Sequence, residues 1–389
     1  MRILIIHERY RQRGGEDAVF DTESALLEER GCVVERLVAD NDHIDETRGG
    51  LALAANAVWS TDGRGRVRRK VQEFRPDIVH IHNWFPLFSP AIHGAIRAEG
   101  VPVVQTLHNF RLMCLNGLFL RDGQPCEDCL GSPLAWRGVL RRCYRDDTKA
   151  SAAVAAMNCW HHLAGTWRRN VDLFLVGSDF ARRRFVAAGL PAERIALKPN
   201  TVCDPGAEAA SWRRPRRGAV FLGRLSPEKG IADLIRAWRD MGHRLTIVGD
   251  GPLAAALRAE ASSEVDFAGW QDPARVSSIL SEAALLCLPS RCYEQWPLVV
   301  AEAAAHGLPI LASDLGALES LVEEDVTGKR VTPGDVDAWR DAARTLLDSP
   351  ALLAAMGQNA RQVYACRYSP QVVTDLLLGH YARLRASPP

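Results

Sequence analysis

The sequence lacks any run of about 18 uninterrupted apolar residues, so no segment reads as a membrane-spanning helix. Its opening stretch, MRILIIHERY, carries too short an apolar run for a secretory leader, and the expected compartment is the cytoplasm. A charge excess of either sign is also missing. The 48 Lys and Arg nearly balance 47 Asp and Glu, which argues against bulk nucleic-acid binding and leaves small anionic ligands to local charge. Low-complexity tracts and short repeats are absent. Neither half contains the dinucleotide fingerprint Gly-x-Gly-x-x-Gly, which counts against an NAD oxidoreductase.

What is present is alternation. At 389 residues the chain exceeds the usual size of one domain and favours two of about 150 to 200 residues each. Short apolar runs, ILIIH (3–7), CVVERLVAD, RPDIVHIH, VPVVQTLH, VDLFLVGS and RIALKPN, are each followed by a polar loop or a stretch of helical periodicity. Between Pro199 and Gly218 the pattern dissolves into a Pro-, Gly- and Arg-rich linker, and a second alternation then runs from AVFLGR to PILASD. Continuous apolar strands alternating with helices predict an α/β fold with parallel, doubly wound sheets. The expected division is a first domain over 1–200, a linker over 201–217, a second domain over 218–365, and a final helical stretch, 366–389, crossing back to the first domain.

Three features of the second half converge. Gly223 and Arg224 end the strand AVFLGR, and Lys229-Gly230 precedes a helix, so two cations can flank one anion beside a helix N-terminus. Taken alone, Arg and Lys at this spacing are as often surface charges. IVGDGP (247–252) is a strand followed by a tight turn at Gly251, with Pro252 at a helix N1 position, able to bring backbone close to a base or ribose. YEQWPLVVAE places Glu294 and Glu302 eight residues apart. A continuous helix would separate the two carboxylates by roughly 12 Å, too far for an acid–base pair acting on one glycosidic bond. Pro297 instead starts a helix between them, leaving Glu294 in the loop and Glu302 in the second turn. Free amides near Leu298 and Val299 then form an anion cradle with a carboxylate on each side, suited to a nucleotide sugar. The bland alternative makes Glu294 a cap and Glu302 a surface ion pair.

The strings VFLGRLSPEKG, IVGDGP, FAGW and YEQWPLVVAEAAAHGLPILASDLGALESLVEEDVTGKRVTPGD resemble the donor domain of retaining glycosyltransferases of family 4. Both Gly-Arg-Leu-x-x-x-Lys-Gly and the Glu, seven residues, Glu motif are present. The resemblance extends over essentially the whole chain. It implies the GT-B fold, two Rossmann-like domains facing each other across a cleft. It also implies a nucleoside diphosphate sugar as donor and a hydroxyl acceptor, whether a glycan, a lipid-linked sugar or a small natural product. No cofactor is required for catalysis, since two cations and helix amides can take the place of a divalent ion. By this resemblance Arg224 and Lys229 neutralise the leaving diphosphate, Glu294 holds the sugar hydroxyls and Glu302 the ribose. Gln295-Trp296-Pro297 replaces the common Gly-Phe-Gly, which is expected to reshape the wall beside the donor sugar. A non-catalytic nucleotide-sugar-binding protein is the alternative.

In the first half, Gly14 and Gly15 in the loop RGGED (13–17) permit close approach of backbone to a ligand phosphate, and the resemblance places the loop there. Among His80, His82, His93 and His108, the pair in IVHIHNWFP faces one side of its strand, where core or hydrogen-bonding roles outweigh a metal site. His108 ends the strand VVQTLH, where family members carry a histidine close to the reacting sugar, and it is the first-domain active-site candidate. Glu16, Asn109 and Arg111 are the acceptor-side candidates. Cys114, Cys126, Cys129 and Cys143 are compatible with a four-thiolate structural zinc site, with free or partly paired thiols as the other reading. The six scattered cysteines read as core thiols. Trp136, Trp160 and Trp167 among arginines suit either ordinary packing or peripheral contact with the inner face of a membrane.

Overall fold

Strands buried on both faces need helices on both faces, and the apolar runs assemble accordingly. The computed structural model describes residues 1–10, 14–41, 50–211 and 215–386. It divides into two units. The first comprises Met1–Phe119, Cys126–Pro199 and the chain from Val373 onward, and the second comprises Leu120–Pro125 and Asn200–Val372.

In the first unit a parallel sheet forms from β1 (Arg2–Arg9), β2 (Val33–Asp40), β3 (Ile78–Ile81) and β4 (Val103–Thr106). A hairpin of β5 (Leu120–Arg121) and β6 (Gln124–Pro125) follows in the chain and belongs to the second unit. Strands β7 (Leu173–Val176) and β8 (Ile195–Leu197) complete the first sheet, whose order is β2-β1-β3-β4-β7-β8. The second sheet takes β9 (Ala219–Leu222), β10 (Leu245–Val248), β11 (Val265–Gly269), β12 (Leu285–Leu288), β13 (Ile310–Ser313) and β14 (Gly328–Val331) in the order β11-β10-β9-β12-β13-β14.

Each sheet therefore reverses its winding beside its first strand. In the first, Ile3 pairs with Val34 of β2 on one side and Ile78 of β3 on the other. In the second, Ala219 pairs with Leu245 of β10 and Leu285 of β12. Loops diverge at the carboxyl ends of such neighbouring strands, which is where open α/β sheets bind ligands.

The second sheet's core splits by side-chain parity. Phe221, Ile247, Cys287 and Leu311 pack on one face, while Val220, Val248, Leu286 and Ile310 pack on the other. Each such aliphatic side chain contributes about 1.5–3 kcal/mol on burial. On the first sheet, Ile3, Ile5, Ile78 and Val104 pack with Leu377 and Tyr381 of the C-terminal helix Pro370–Ala386. The Tyr381 hydroxyl lies 2.7 Å from His80 Nδ1. The Pro- and Arg-rich stretch after Pro199 forms no strand or helix up to Gly218 among its described residues, yet it is held in place. Thr201 donates to the Tyr368 carbonyl at 2.6 Å, and the buried Arg216 guanidinium donates to the His306 carbonyl at 2.9 Å.

Candidate active site

At the carboxyl edge of the second sheet, the loops after β9 and β12 are fastened together. Arg291 N–H donates to the Glu228 carbonyl at 2.8 Å. Gly230 makes the approach feasible: its φ is +65°, and a Cβ there would sit 1.9 Å from the Pro289 carbonyl oxygen. The result is a short bridge between the loops, in which Lys229 Nζ meets Glu294 Oε1 at 2.6 Å and Ser290 Oγ donates to the same oxygen at 2.8 Å. Burial opposes the charge on Lys229, but the Glu294 carboxylate outweighs it and holds the ammonium pKa above its ordinary value. Ser290 was not singled out by the sequence reading; its place four residues before Glu294, just past a buried strand, was the available signal.

The neighbouring turn after β10 packs as tightly. A Cβ on Gly251 would lie 2.5 Å from the Leu225 carbonyl oxygen, and Leu225 N–H donates to the Asp250 carbonyl at 3.0 Å. Gly223 N–H donates to the Val248 carbonyl at 3.0 Å. Pro252 stands outside the following helix, which begins at Ala254, so its expected N1 position is corrected: Leu253 caps that helix. The exposed Arg224 side chain makes no hydrogen bond or ion pair among the described residues.

The helix Leu298–Ala305 begins one residue later than the sequence suggests, with Pro297 as its extended N-cap (φ −69°, ψ 129°). Proline offers no side-chain acceptor, so the first amides, at Leu298 and Val299, are left without a side-chain cap. Glu302 lies in the second turn of this helix. Its half-buried carboxylate has no hydrogen-bond partner among the described residues, and loss of hydration pushes its pKa up to about 7. Trp296 turns into a cluster with Ala301, Tyr364 and Tyr368, edge-on to Tyr368 at 5.0 Å between ring centroids. Gln295 is buried, and among the described residues neither end of its amide finds a partner.

In the first unit, the helix Gly15–Glu29 starts at the carboxyl end of β1, with Gly14 as its extended N-cap. Arg13 lies outside the described residues. Gly14 N–H donates to Asp17 at 2.9 Å, and Asp17 in turn meets His7 Nε2 at 2.8 Å. Among the described residues, no atom lies within 4 Å of a Cβ built on Gly14 or Gly15. Glu16 and Asn109 come together: Asn109 donates to Glu16 Oε1 at 3.0 Å, leaving the buried Oε2 without a partner. Burial raises the pKa of Glu16. Arg111 N–H donates to Asn109 Oδ1 at 3.1 Å, and its guanidinium stacks over Phe85 at 4.4 Å and reaches the Tyr10 hydroxyl at 3.4 Å. Tyr10 was missed by sequence reading.

His108, half-buried just past β4, meets His82 Nδ1 through its Nε2 at 3.0 Å. His93 is a core residue, bound to Gln105 Oε1 and the Pro90 carbonyl, each at 2.9 Å.

Cys114, Cys126, Cys129 and Cys143 are free thiols, and Cys129 lies near enough to both Cys114 and Cys126 to act on them electrostatically. Among the described residues, one group of three or more His, Cys, Asp or Glu ligand atoms falls within 4.8 Å of one another: Glu23, His80 and His82. Cys114 is buried, with its thiol pushed up to about 11 by burial, and it donates to Asn116 Oδ1 at 3.0 Å. Trp167 is likewise buried, beside Trp84, whereas Trp136 and Trp160 are exposed. No helix among the described residues is long and apolar enough to cross a membrane.

Two family patterns match the chain, "Glycosyl transferase 4-like domain" over residues 4–201 and "Glycosyl transferases group 1" over residues 216–349. The chain belongs to the family-4-type glycosyltransferases. Among its relatives in this family, the alpha-D-kanosaminyltransferase of Streptomyces kanamyceticus is 31% identical over 363 residues, spanning 86% of this chain and 83% of the relative. A glycogen synthase of Mycobacterium tuberculosis is 29% identical over 320 residues, 78% of this chain and 67% of its own. Solved structures share the GT-B fold. Sucrose-phosphate synthase from Thermosynechococcus elongatus has a TM-score of 0.72 at 20% identity, covering 99% of both chains. Anabaena HepE in complex with UDP has a TM-score of 0.69 at 18% identity, covering 98% of this chain and 100% of its own.

Proposed function

We propose that this glycosyltransferase moves a sugar from a nucleoside diphosphate sugar to a hydroxyl acceptor with retention of anomeric configuration, without a catalytic metal. The observation that carries the reading is the Lys229–Glu294 pair beside the uncapped N-terminus of the helix Leu298–Ala305, at the winding reversal of the second sheet. An ammonium group has three donors, so Lys229 can orient Glu294 and still hold a phosphate oxygen. Arg224, Lys229 and the amides of Leu298 and Val299 stabilise the charge that develops on the leaving diphosphate. Glu294 accepts hydrogen bonds from sugar hydroxyls. Glu302, whose carboxylate has no hydrogen-bond partner among the described residues, accepts from the ribose diol.

The acceptor oxygen bonds to the anomeric carbon as the carbon–phosphate-oxygen bond breaks on the same face, and the acceptor's proton passes to the departing phosphate. Glu16, Asn109 and Arg111 receive the acceptor, a glycan, lipid-linked sugar or small natural product, and His108 orients the reacting sugar. Support comes from structural neighbours solved with UDP, or with UDP and glucose, and from relatives named as glycosyl-transferring enzymes.

The test is turnover with a panel of UDP, GDP and dTDP sugars. Glu294→Gln should abolish transfer while the protein stays folded and still binds the nucleotide. If Glu294→Gln and Lys229→Ala leave biological activity intact, the protein is a non-catalytic binder.

A further inference from the structure

Behind His108 the first unit buries polar side chains that the proposed mechanism does not otherwise use. Lys198, at the end of β8, places Nζ 2.5 Å from Glu23 Oε2, and both side chains are almost wholly buried. The other oxygen, Glu23 Oε1, lies 3.1 Å from His80 Nδ1 and 3.2 Å from His82 Nε2. His80 Nε2 meets Thr106 Oγ1 at 2.7 Å. His82 Nδ1 meets His108 Nε2 at 3.0 Å, completing the path Lys198–Glu23–His82–His108.

This cluster contains the one metal-like group noted above, but the Lys198 ammonium already supplies Glu23 with a cation, and both nitrogens of His82 are engaged. The chain has a polarity instead. A buried carboxylate beside an ammonium stays ionised, and an ionised carboxylate only accepts hydrogen bonds. The proton of His82 must therefore sit on Nε2. Burial lowers the pKa of His82 to about 3, so its ring is neutral and Nδ1 is a lone pair. That lone pair requires a donor, and the donor is His108 Nε2–H.

We infer that Glu23 and His82, anchored by Lys198, are positioning residues that fix His108 in its Nε2–H tautomer, leaving Nδ1 as a hydrogen-bond acceptor for a ligand hydroxyl. His108 Nδ1 has no partner among the described residues and is not sealed from solvent, as this role requires. The hydroxyl's identity as a sugar or acceptor hydroxyl rests on the proposed transferase reading; the tautomer does not.

The experiment uses the full chain labelled with 15N-histidine, at neutral pH and without ligand. The histidine signal that disappears in His108→Ala should show a pyridine-type Nδ1 and a pyrrole-type Nε2. In His82→Leu the same residue should become an average of both tautomers, provided the thermal transition shows that variant folded. A pyrrole-type Nδ1 in the wild type, or no change in His82→Leu, overturns the inference. With an NDP-sugar that is turned over, His82→Leu should lower kcat by about 10- to 100-fold, the range for groups that orient a functional histidine. The same substitution should have no further effect in His108→Ala, because His82 acts through His108. Fully additive losses refute that coupling. Absence of turnover with every nucleotide sugar would count against the transferase reading alone, because the tautomer is decided by the spectrum.

Discussion

Replacing Glu302 with glutamine should make the protein more stable and a poorer nucleotide binder, with both effects set by pH. Burial moves this carboxyl from an ordinary 4.5 to about 7, with no hydrogen bond from the described residues to offset the lost hydration. Folding therefore takes up a proton between these two values. The cost of the charge is fully present above about pH 7, declines as pH falls through the window, and is gone below 4.5. At ~1.4 kcal/mol per tenfold in proton affinity, the cost at pH 8 has an upper limit of about 3 kcal/mol. Glutamine still buries an amide, so a gain of about 1–2 kcal/mol is expected, or a rise of roughly 5 °C in the second unit's thermal midpoint. Scanning calorimetry of wild type and Glu302→Gln at pH 8 and pH 5 measures it. Binding has the opposite sign. With a ribose diol donating to the ionised carboxylate as proposed, wild-type affinity for a nucleoside diphosphate should rise through pH 7, and the variant's should be weaker and flat. A variant less stable than wild type at pH 8, or equally stabilised at both pH values, would refute the argument that Glu302 is an unpaired, desolvated charge.

Lys229→Ala removes both the ammonium and the charged partner of Glu294, and should weaken nucleotide binding by about 10- to 100-fold, read by calorimetry at low salt and at 0.5 M salt. Gly230→Ala should cost more than about 2 kcal/mol and weaken nucleotide binding, because its Cβ meets the Pro289 carbonyl. Gly131→Ala, also at positive φ but with open space around it, should cost only about 1 kcal/mol, so a denaturation comparison separates backbone strain from collision. Thiol titration should modify exposed Cys203 and Cys366 first and half-buried Cys126, Cys129 and Cys143 next without a chelator; protection of the latter three that a chelator relieves would support the zinc reading.

The strands of both sheets could be read from the sequence because parallel sheets buried on two faces leave continuous apolar runs such as ILII and AVFL. The edge strands β2 and β14 are exceptions, carrying Glu35 and Arg36 or Lys329 and Arg330 in place of such a run. Glu16 and Asn109, and Lys229 and Glu294, were each legible as candidates near a strand's carboxyl end, but their direct contacts with one another were not. What could not be read were the partners supplied by distant segments. Glu23 sits two helical turns after Glu16, so it shares that helix face, but Lys198 lies 175 residues further along the chain. The direction of Trp296 was equally hidden. Its pocket is built by Tyr364 and Tyr368, from a part of the chain with no local sequence link to the motif.

The central claim is that the second unit's edge binds a nucleoside diphosphate sugar through Lys229, Glu294 and the helix beginning at Leu298. Calorimetric titration of the full chain with UDP, GDP and dTDP sugars tests it most directly. One nucleotide class should bind to the wild type and lose most of its affinity in Lys229→Ala. Absence of binding by every nucleotide sugar, or binding that Lys229→Ala leaves unchanged, would contradict the account.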